Sequence, residues 1–281
     1  MPAVRTELAR AKVNLTLHVG AVINDGKWAG YHPVESLVVF ADFGDELTFT
    51  PSQKSAMTFE GVFGQSLNDE EDNSIWSTLE LCDAPRQDIV VDKQIPIAAG
   101  LGGGTADAAA VLRVFDPKRK IHPTKIGADG PVCYMSRTAM MEGIGEIITP
   151  LAGLGQISAV LINPGVAVST GAIFKAMDDV PRAENPAFTS RQGGLLARAF
   201  SGVNDMQDIA IAQAPAIADV LRALAQQAGC ELARMSGSGA TCFGIFRSDA
   251  QAKSAADLIS AGHPGWWVKP CRLGDIAGEP A

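Results

Sequence analysis

The segment Lys93–Phe115 reads KQIPIAAGLGGGTADAAAVLRVF, and its middle decides how the rest of the chain is read. Glycine holds four of the five positions from 100 to 104. Lacking Cβ atoms, such a turn reaches positive φ freely and leaves its N–H groups unshielded. An Ala-rich helix is predicted directly after it, from about Thr105 to Phe115. Amide donors gathered at the positive end of a helix make a phosphate site. The plain alternative is a flexible linker, which does not normally run into so strong a helix former. No Lys-Ser/Thr pair follows the glycines, and the chain has no G-x-G-x-x-G, H-E-x-x-H or G-x-S-x-G. These absences remove the Walker A, dinucleotide, metalloprotease and α/β-hydrolase readings.

Working outward, Ala11–Val19 reads AKVNLTLHV. Val13, Leu15, Leu17 and Val19 alternate with Lys12, Asn14, Thr16 and His18, the mark of a half-buried strand. Lys12 and Asn14 then stand about 7 Å apart on the polar face, which by itself could simply be solvated. Val34–Phe40 is a second apolar strand, with a turn expected at FGDE (43–46) before LTFT. Asp88–Val91 is a third strand, and ISAVLINPG at 157–165 opens a second domain. Ile217, Val220, Leu221 and Leu224 form a helical stripe with Gly229 placed as its C-cap, and Asp249 is expected to cap a last helix ending at Gly262. The tail LGDIAGEPA, 273–281, is expected to fray. Segregated helices and hairpin-like strands indicate an α+β fold.

Composition narrows the function classes. The 281 residues fit one large domain or two ordinary ones. A net charge of −8 and a pI near 5.0 disfavour nucleic acid and anionic membrane as partners. Five cysteines, an odd number with no C-x-x-C, argue against a disulfide framework or a structural zinc and favour a reducing cytoplasm. The first residues carry no apolar signal core, and no apolar run is long enough to span a membrane.

Two further turns carry weaker signals. Ser236-Gly237-Ser238-Gly239-Ala240 precedes a strand and could wall a phosphate cavity, although most such turns are structural. In Gly127-Ala128-Asp129-Gly130-Pro131 a carboxylate sits among small residues, where an Asx turn is the usual role.

Taken in order, these features resemble the GHMP kinase superfamily, and within it the group that recognises a cytidine diphosphate. The resemblance runs from Ala9 to about Phe246. It is carried by ARAKVNLTLHV, Gly30-Tyr31-His32, Asp42-Phe43-Gly44-Asp45, the loop from Pro96 to Ala106 and IGADGP at 126–131. Glu142-Gly-Ile-Gly-Glu146, Asn163-Pro-Gly165, Ser169-Thr170, Asn204-Asp205 and MSGSGATCF follow in the family's sequence.

The resemblance implies a two-lobed α+β GHMP kinase fold. An N-terminal lobe like ribosomal protein S5 domain 2 would cover residues 1–155, and a ferredoxin-like C-terminal lobe residues 156–281, with the site between them. It implies transfer of the γ-phosphoryl of ATP, with Mg²⁺, to the 2-hydroxyl of a methylerythritol unit bearing a cytidine diphosphate, a step of non-mevalonate isoprenoid synthesis. Such chemistry is mostly positioning and charge neutralisation. By resemblance Asp129 is the general base, and Lys12 beside it favours the developing alkoxide. Pro96, Ile97, Ala98, Ala99, Gly100, Leu101, Gly102, Gly103, Gly104, Thr105 and Ala106 contact the nucleotide. Asn14 orients the substrate, Tyr31 stacks on the base and His32 pairs with its edge. Ser236, Gly237, Ser238 and Gly239 complete the substrate site, the metal ligands being unassigned. A monomer or weak homodimer is expected.

The chain departs from the family's pattern at Thr105-Ala106-Asp107, where Ser-Ser-Asn is usual, and at Gly130, where Val is usual. Asp107 is expected either to turn away from the phosphates or to help hold the metal. Gly130 is expected to loosen the turn that carries Asp129. The stretch between Val114 and Lys125 is shorter than in the family, as is the region after Asn73. These changes leave open a GHMP protein that binds nucleotide without turnover. A GHMP kinase for mevalonate, homoserine or a sugar is the other alternative, against which Gly30-Tyr31-His32 argues.

Overall fold

The computed structural model describes residues 3–67, 73–184, 186 and 193–275. In chain order the strands and helices are β1 (Arg5–Asn14), β2 (His18–Val19), β3 (Val34–Pro51), β4 (Ala56–Glu60), α1 (Ser74–Leu81), β5 (Gln87–Asp92), α2 (Gly103–Phe115), α3 (Gly130–Met135), β6 (Ala139–Gly143) and β7 (Ile147–Pro150). They continue with β8 (Gln156–Asn163), α4 (Thr170–Asp178), α5 (Leu195–Ser201), α6 (Gln207–Gln213), α7 (Ala216–Ala225), β9 (Cys230–Met235), β10 (Cys242–Phe246), α8 (Asp249–Gly262) and β11 (Trp267–Gly274).

The eighteen residues of β3 form the spine. β1, β5, β6 and β11 all pair with it antiparallel, at successive stretches of its length. The turn expected at 43–46 is therefore not there, because those residues continue the strand. Gly44 makes this possible, since a Cβ on it would stand 2.1 Å from the Ala9 carbonyl oxygen. The pairing of β1 with β3 shifts register between Arg10 and Lys12. Along β3, Leu37, Val39 and Ala41 enter one buried cluster while Val38 and Phe40 enter another, so both faces are covered.

The second half of the sheet runs β11-β8-β10-β9 and joins the first through one bridge, Leu273 to Ala41. Two buried arginines reinforce that junction. Arg10 donates to Ala41 O, Phe40 O, Gly274 O and Ser136 O. Arg234, on β9, donates to Leu15 O, Ala199 O and Gly202 O. A buried guanidinium needs several acceptors, and carbonyls at chain bends supply them. The tail is accordingly fixed as far as buried Leu273 and Gly274, and residues 276–281, the rest of the expected fraying segment, lie outside the described residues.

α2 is buried on nearly every side, against β1, α1 and α3. Its alanines permit that close approach. Two caps differ from expectation. α7 ends at Gln226, and Gly229 instead takes the left-handed turn (φ 80°) into β9. Ser248, not Asp249, caps α8, accepting from Gln251 N. All five cysteines are free, and burial pushes every thiol up, Cys133 to about 12. They behave as small apolar side chains.

Candidate active site

The polar face of β1 is buried rather than solvated. Lys12, Asn14, Thr16 and His18 are each at most 5% exposed. The two glycine turns cover this face. Lys12 N donates to Leu101 O, and Ser236 Oγ accepts from Asn14 N while donating to Gly100 O. The turns meet backbone to backbone: a Cβ on Gly100 (φ 75°) would lie 2.4 Å from Ser236 O. Gly102 (φ 67°) sits at the N-cap of α2, with Lys12 side-chain carbons 3.2 Å and 3.5 Å from where its Cβ would be. A phosphate loop is thereby set directly over the amine.

Lys12 Nζ donates to Asp129 Oδ2 at 2.8 Å and to Asn14 Oδ1 at 2.9 Å. The orientation of Asn14 is set by its other end. Its Nδ2 donates to Ser36 Oγ at 2.7 Å, and the Ser36 hydroxyl is committed to Thr16 O at 2.5 Å. With its hydroxyl hydrogen spent on Thr16 O, Ser36 can only accept from Asn14, so the amide nitrogen faces Ser36 and the amide oxygen faces the ammonium. Asp129 precedes α3, and its side chain keeps 33% exposure, turned to a cavity of about 920 Å³. Gly130 does not loosen this turn. A Cβ there would stand 2.0 Å from Pro123 O, and the turn closes through Gly130 N to Gly127 O and Cys133 N to Asp129 O.

The same cavity is lined by Asn14, Tyr31, His32, Ala98, Ala99, Gly100, Gly102–Gly104, Thr105, Gly237 and Ser238. Ser236 is wholly buried and acts through Asn14 and Gly100, and Gly239 is not among the lining residues. Leu101 and Ala106 point into the core, and the Ala106 amide is spent on Gly102 O. Tyr31 is half exposed at the rim. His32 is nearly buried, with Nδ1 donating to Gly20 O at 2.9 Å and Nε2 3.1 Å from Asp178 Oδ1.

Sequence reasoning missed the wall opposite Tyr31. It is α4, which contributes Thr170, Gly171, Phe174, Lys175 and Asp178. Phe174 stacks on His32 with centroids 5.2 Å apart. The available signal was Ser169 as N-cap, which puts Phe174 one turn beyond Thr170 on the same helix face. A smaller cavity, about 280 Å³, adjoins the loop and is lined by Phe59, Ile75, Lys93, Pro96, Ile97 and Asp107. The two cavities share Ser74, Ala98, Gly103 and Gly104.

Asp107 holds no phosphate-facing position. Lys93 Nζ donates to its Oδ2 at 2.7 Å and to Asp45 Oδ2 at 2.5 Å. Asp45 Oδ1 in turn accepts from Gln94 N and Ile95 N, which anchors the approach to the loop. With Asp107 committed to Lys93, the metal-holding alternative for it falls away. Among the described residues no group of three or more His, Cys, Asp or Glu side chains is placed to hold a metal.

Comparison with known proteins bears on this geometry. The family model for the GHMP kinases N terminal domain matches residues 73–122, and that for GHMP kinases C terminal matches 186–263. A 4-diphosphocytidyl-2-C-methyl-D-erythritol kinase of Paracoccus denitrificans is 46% identical over 274 residues, covering 95% of this chain and 96% of the relative. One from Cereibacter sphaeroides is 43% identical, covering 94% of this chain and 98% of its own. The chain belongs to the 4-diphosphocytidyl-2-C-methyl-D-erythritol kinase family, within the GHMP kinases. A crystal structure of 4-(cytidine 5'-diphospho)-2C-methyl-D-erythritol kinase superposes on this kinase with a TM-score of 0.77 at 28% identity, covering 97% of this chain and 100% of the other. L. major mevalonate kinase shares the fold alone, with a TM-score of 0.63 at 13% identity and 98% and 97% coverage. This kinase is thus a phosphotransferase of the GHMP fold that takes ATP as donor and a small molecule as acceptor. Among its described residues no helix is long and apolar enough to cross a membrane.

Proposed function

We propose that this kinase transfers the γ-phosphoryl group of ATP to the 2-hydroxyl of 4-diphosphocytidyl-2-C-methyl-D-erythritol, in non-mevalonate isoprenoid precursor synthesis. The observation that carries the reading is the Lys12–Asp129 contact of 2.8 Å, which lies in one cavity with the glycine loop and with Tyr31, His32 and Phe174. One end of that cavity suits a charged transfer reaction and the other an aromatic base.

Asp129 accepts the proton of the attacking hydroxyl, being the cavity-facing carboxylate that Lys12 holds beside the glycine loop. Lys12 holds Asp129 in place and offsets the charge that develops on the acceptor oxygen. Asn14 holds Lys12. The amides of Gly100 and Gly102–Gly104, at the N-terminus of α2, take the phosphates. The smaller cavity receives the donor base, with Pro96, Ile97 and Ala98 against it. Mg²⁺ supplies neutralisation of the phosphate oxygens when bound. The Thr105 hydroxyl, which lines the cavity, would be able to hold the ion, whose remaining ligands would be water and phosphate oxygens. Tyr31 and Phe174 stack on the cytosine, and its edge replaces Asp178 at His32. Ser236 and Gly239 support this site from behind, while Gly237 and Ser238 face the substrate. The division into lobes at 155/156, a monomeric or weakly dimeric state and a cytoplasmic setting belong to the same reading.

The test is incubation with ATP, Mg²⁺ and the diphosphocytidyl alcohol, with mass detection. A product one phosphate heavier is expected. No product from that alcohol, with turnover of mevalonate or homoserine instead, would overturn the assignment. Binding without turnover would restore the non-catalytic alternative.

A further inference from the structure

We propose that Asn204 is a positioning residue for the transfer reaction: it turns the Gly237–Ser238 peptide so that the Ser238 N–H faces the cavity. This rests on the function proposed above, in which Gly237 and Ser238 face the substrate. Asn204 is buried behind the Gly/Ser turn and is not among the cavity-lining residues. Its Nδ2 donates to Met235 O and to Gly237 O, both at 2.8 Å, and its Oδ1 accepts from Met206 N at 2.9 Å. Two donors and an acceptor on so short a stem are supplied by an asparagine amide alone, so the carbonyls it serves set the residue type. The backbone around it is pinned as well. Leu17 N donates to Val203 O at 2.8 Å, and Asp205 N donates to Leu17 O at 2.9 Å. Asn204 is thereby fixed to the chain just beyond Lys12 and Asn14, and it carries the position of that segment across to the turn.

What Asn204 holds is a peptide plane. The Gly237–Ser238 bond is trans, and in a trans peptide the carbonyl and the following N–H point in opposite directions. Asn204 takes the Gly237 carbonyl from the buried side, so the Ser238 N–H turns to the side on which Gly237 and Ser238 line the cavity. Among the described residues that N–H has no acceptor. The Ser238 hydroxyl is fixed from the opposite wall, its oxygen lying 2.7 Å from that of Thr170. The turn lies against the glycine loop: a Cβ on Gly237 (φ 57°) would stand 2.8 Å from Gly100 O, and Ser236 Oγ donates to the same oxygen. The free amide therefore opens onto the end of the cavity where phosphate is transferred. A fixed N–H aimed at oxygens whose charge grows during transfer acts on the transition state more than on the bound substrates. Loss of its aim lowers kcat and leaves KM nearly alone.

The test compares Asn204→Asp, Asn204→Ala and Gln207→Ala with wild type in steady-state assays on the full chain. ATP, Mg²⁺ and the diphosphocytidyl alcohol are the substrates, and urea denaturation of each variant converts rates to turnover per folded molecule. Asn204→Asp keeps the acceptor for Met206 N and removes the amide donors, so it separates the hold on the carbonyls from the support of α6. Gln207→Ala is the structural control. Gln207 Oε1 accepts from Met235 N at 3.0 Å, in the same segment, without touching the Gly237 carbonyl. Both Asn204 variants are expected to lose about 10–100-fold in kcat, with both KM values within about threefold of wild type. Gln207→Ala is expected to unfold at lower urea with kcat held. The proposal is overturned if the Asn204 variants keep kcat within about twofold, if their loss appears in KM instead, or if Gln207→Ala loses kcat equally. Should one Asn204 variant not fold, the other decides. Turnover of mevalonate or homoserine in place of the diphosphocytidyl alcohol would strike the substrate proposed above, and the same variants measured on that alcohol would still report on Asn204.

Discussion

Two buried lysines flank the glycine loop, and they are built alike but exposed differently. Lys12 and Lys93 have side chains that are each 5% exposed, and each donates to Asp carboxylates within 2.8 Å. Lys12 has one carboxylate partner, Asp129, which is 33% exposed and faces the large cavity. Lys93 has two, Asp45 and Asp107, at 0% and 4% exposure. The first arrangement leaves a carboxylate reachable by a substrate proton. The second buries both carboxylates in the protein, where they tie the end of β5 to β3 and to α2. Ion pairing alone therefore does not distinguish a reaction centre from a structural joint, and access for the partner does. The loop depends on both, one lysine lying under its cavity side and the other behind it.

The contrast is broken most directly at Asp129. Asp129→Asn keeps an acceptor for Lys12 but cannot take a proton, and kcat is expected to fall about 10²–10⁴-fold with the urea midpoint nearly unchanged. Lys12→Met should likewise remove turnover, at a cost in stability of about 1–3 kcal/mol, because the buried Asn14 Oδ1 loses its donor while Asp129 can still reach water. Steady-state rates measured beside denaturation curves check both; a wild-type rate from either variant would remove the reaction centre from this place. The converse holds at Lys93. Lys93→Met leaves two carboxylates buried without a cation, and a loss of about 3–5 kcal/mol is expected from denaturant unfolding. A fully stable Lys93→Met protein would show that the joint is not one.

The difference between the two lysines was half legible in the sequence. Lys12 stood out because the alternation of AKVNLTLHV put it beside Asn14, and because the segment lay in an ordered series with the glycine loop and GADGP. Lys93 opens the same quoted segment yet carries no local signal. Its partners, Asp45 and Asp107, are 48 and 14 residues away, and only the fold of β3 against β5 brings the farther one in. The expected turn at FGDE hid this, since a turn would have exposed Asp45, whereas the continuous strand buries it. Phe174, Lys175 and Asp178 were illegible for a related reason. Their role depends on which face of α4 meets the cavity, and that is set by packing from the other half of the chain. The glycine turns were readable because what they require is local: positive φ at Gly100 and Gly102 and no side chain between the two backbones.

The smallest and most discriminating prediction concerns Asp107. Burial raises its carboxyl from 3.8 to about 7, against the pull of Lys93. Its Oδ1 is buried with no hydrogen-bond partner among the described residues, so a proton there costs no existing bond. Between about pH 4 and pH 7 the folded protein then holds a proton at this group that the unfolded chain has released. Stability rises with pH only where the unfolded state binds more protons, so the Asp107 contribution is present in full below pH 4 and is lost as pH climbs to 7. Asp107→Asn removes that contribution while Lys93 keeps Asp45. The measurable quantity is the difference in urea midpoint between variant and wild type, in which the other carboxylates cancel. That difference should move in favour of the variant as pH rises from 4 to 7 and level off above it. A difference that stays constant, or moves the other way, would mean that Asp107 is charged throughout and that the sealed joint tolerates both carboxylates as ions. The two lysines would then differ in exposure alone, and not in how many charges each site can hold.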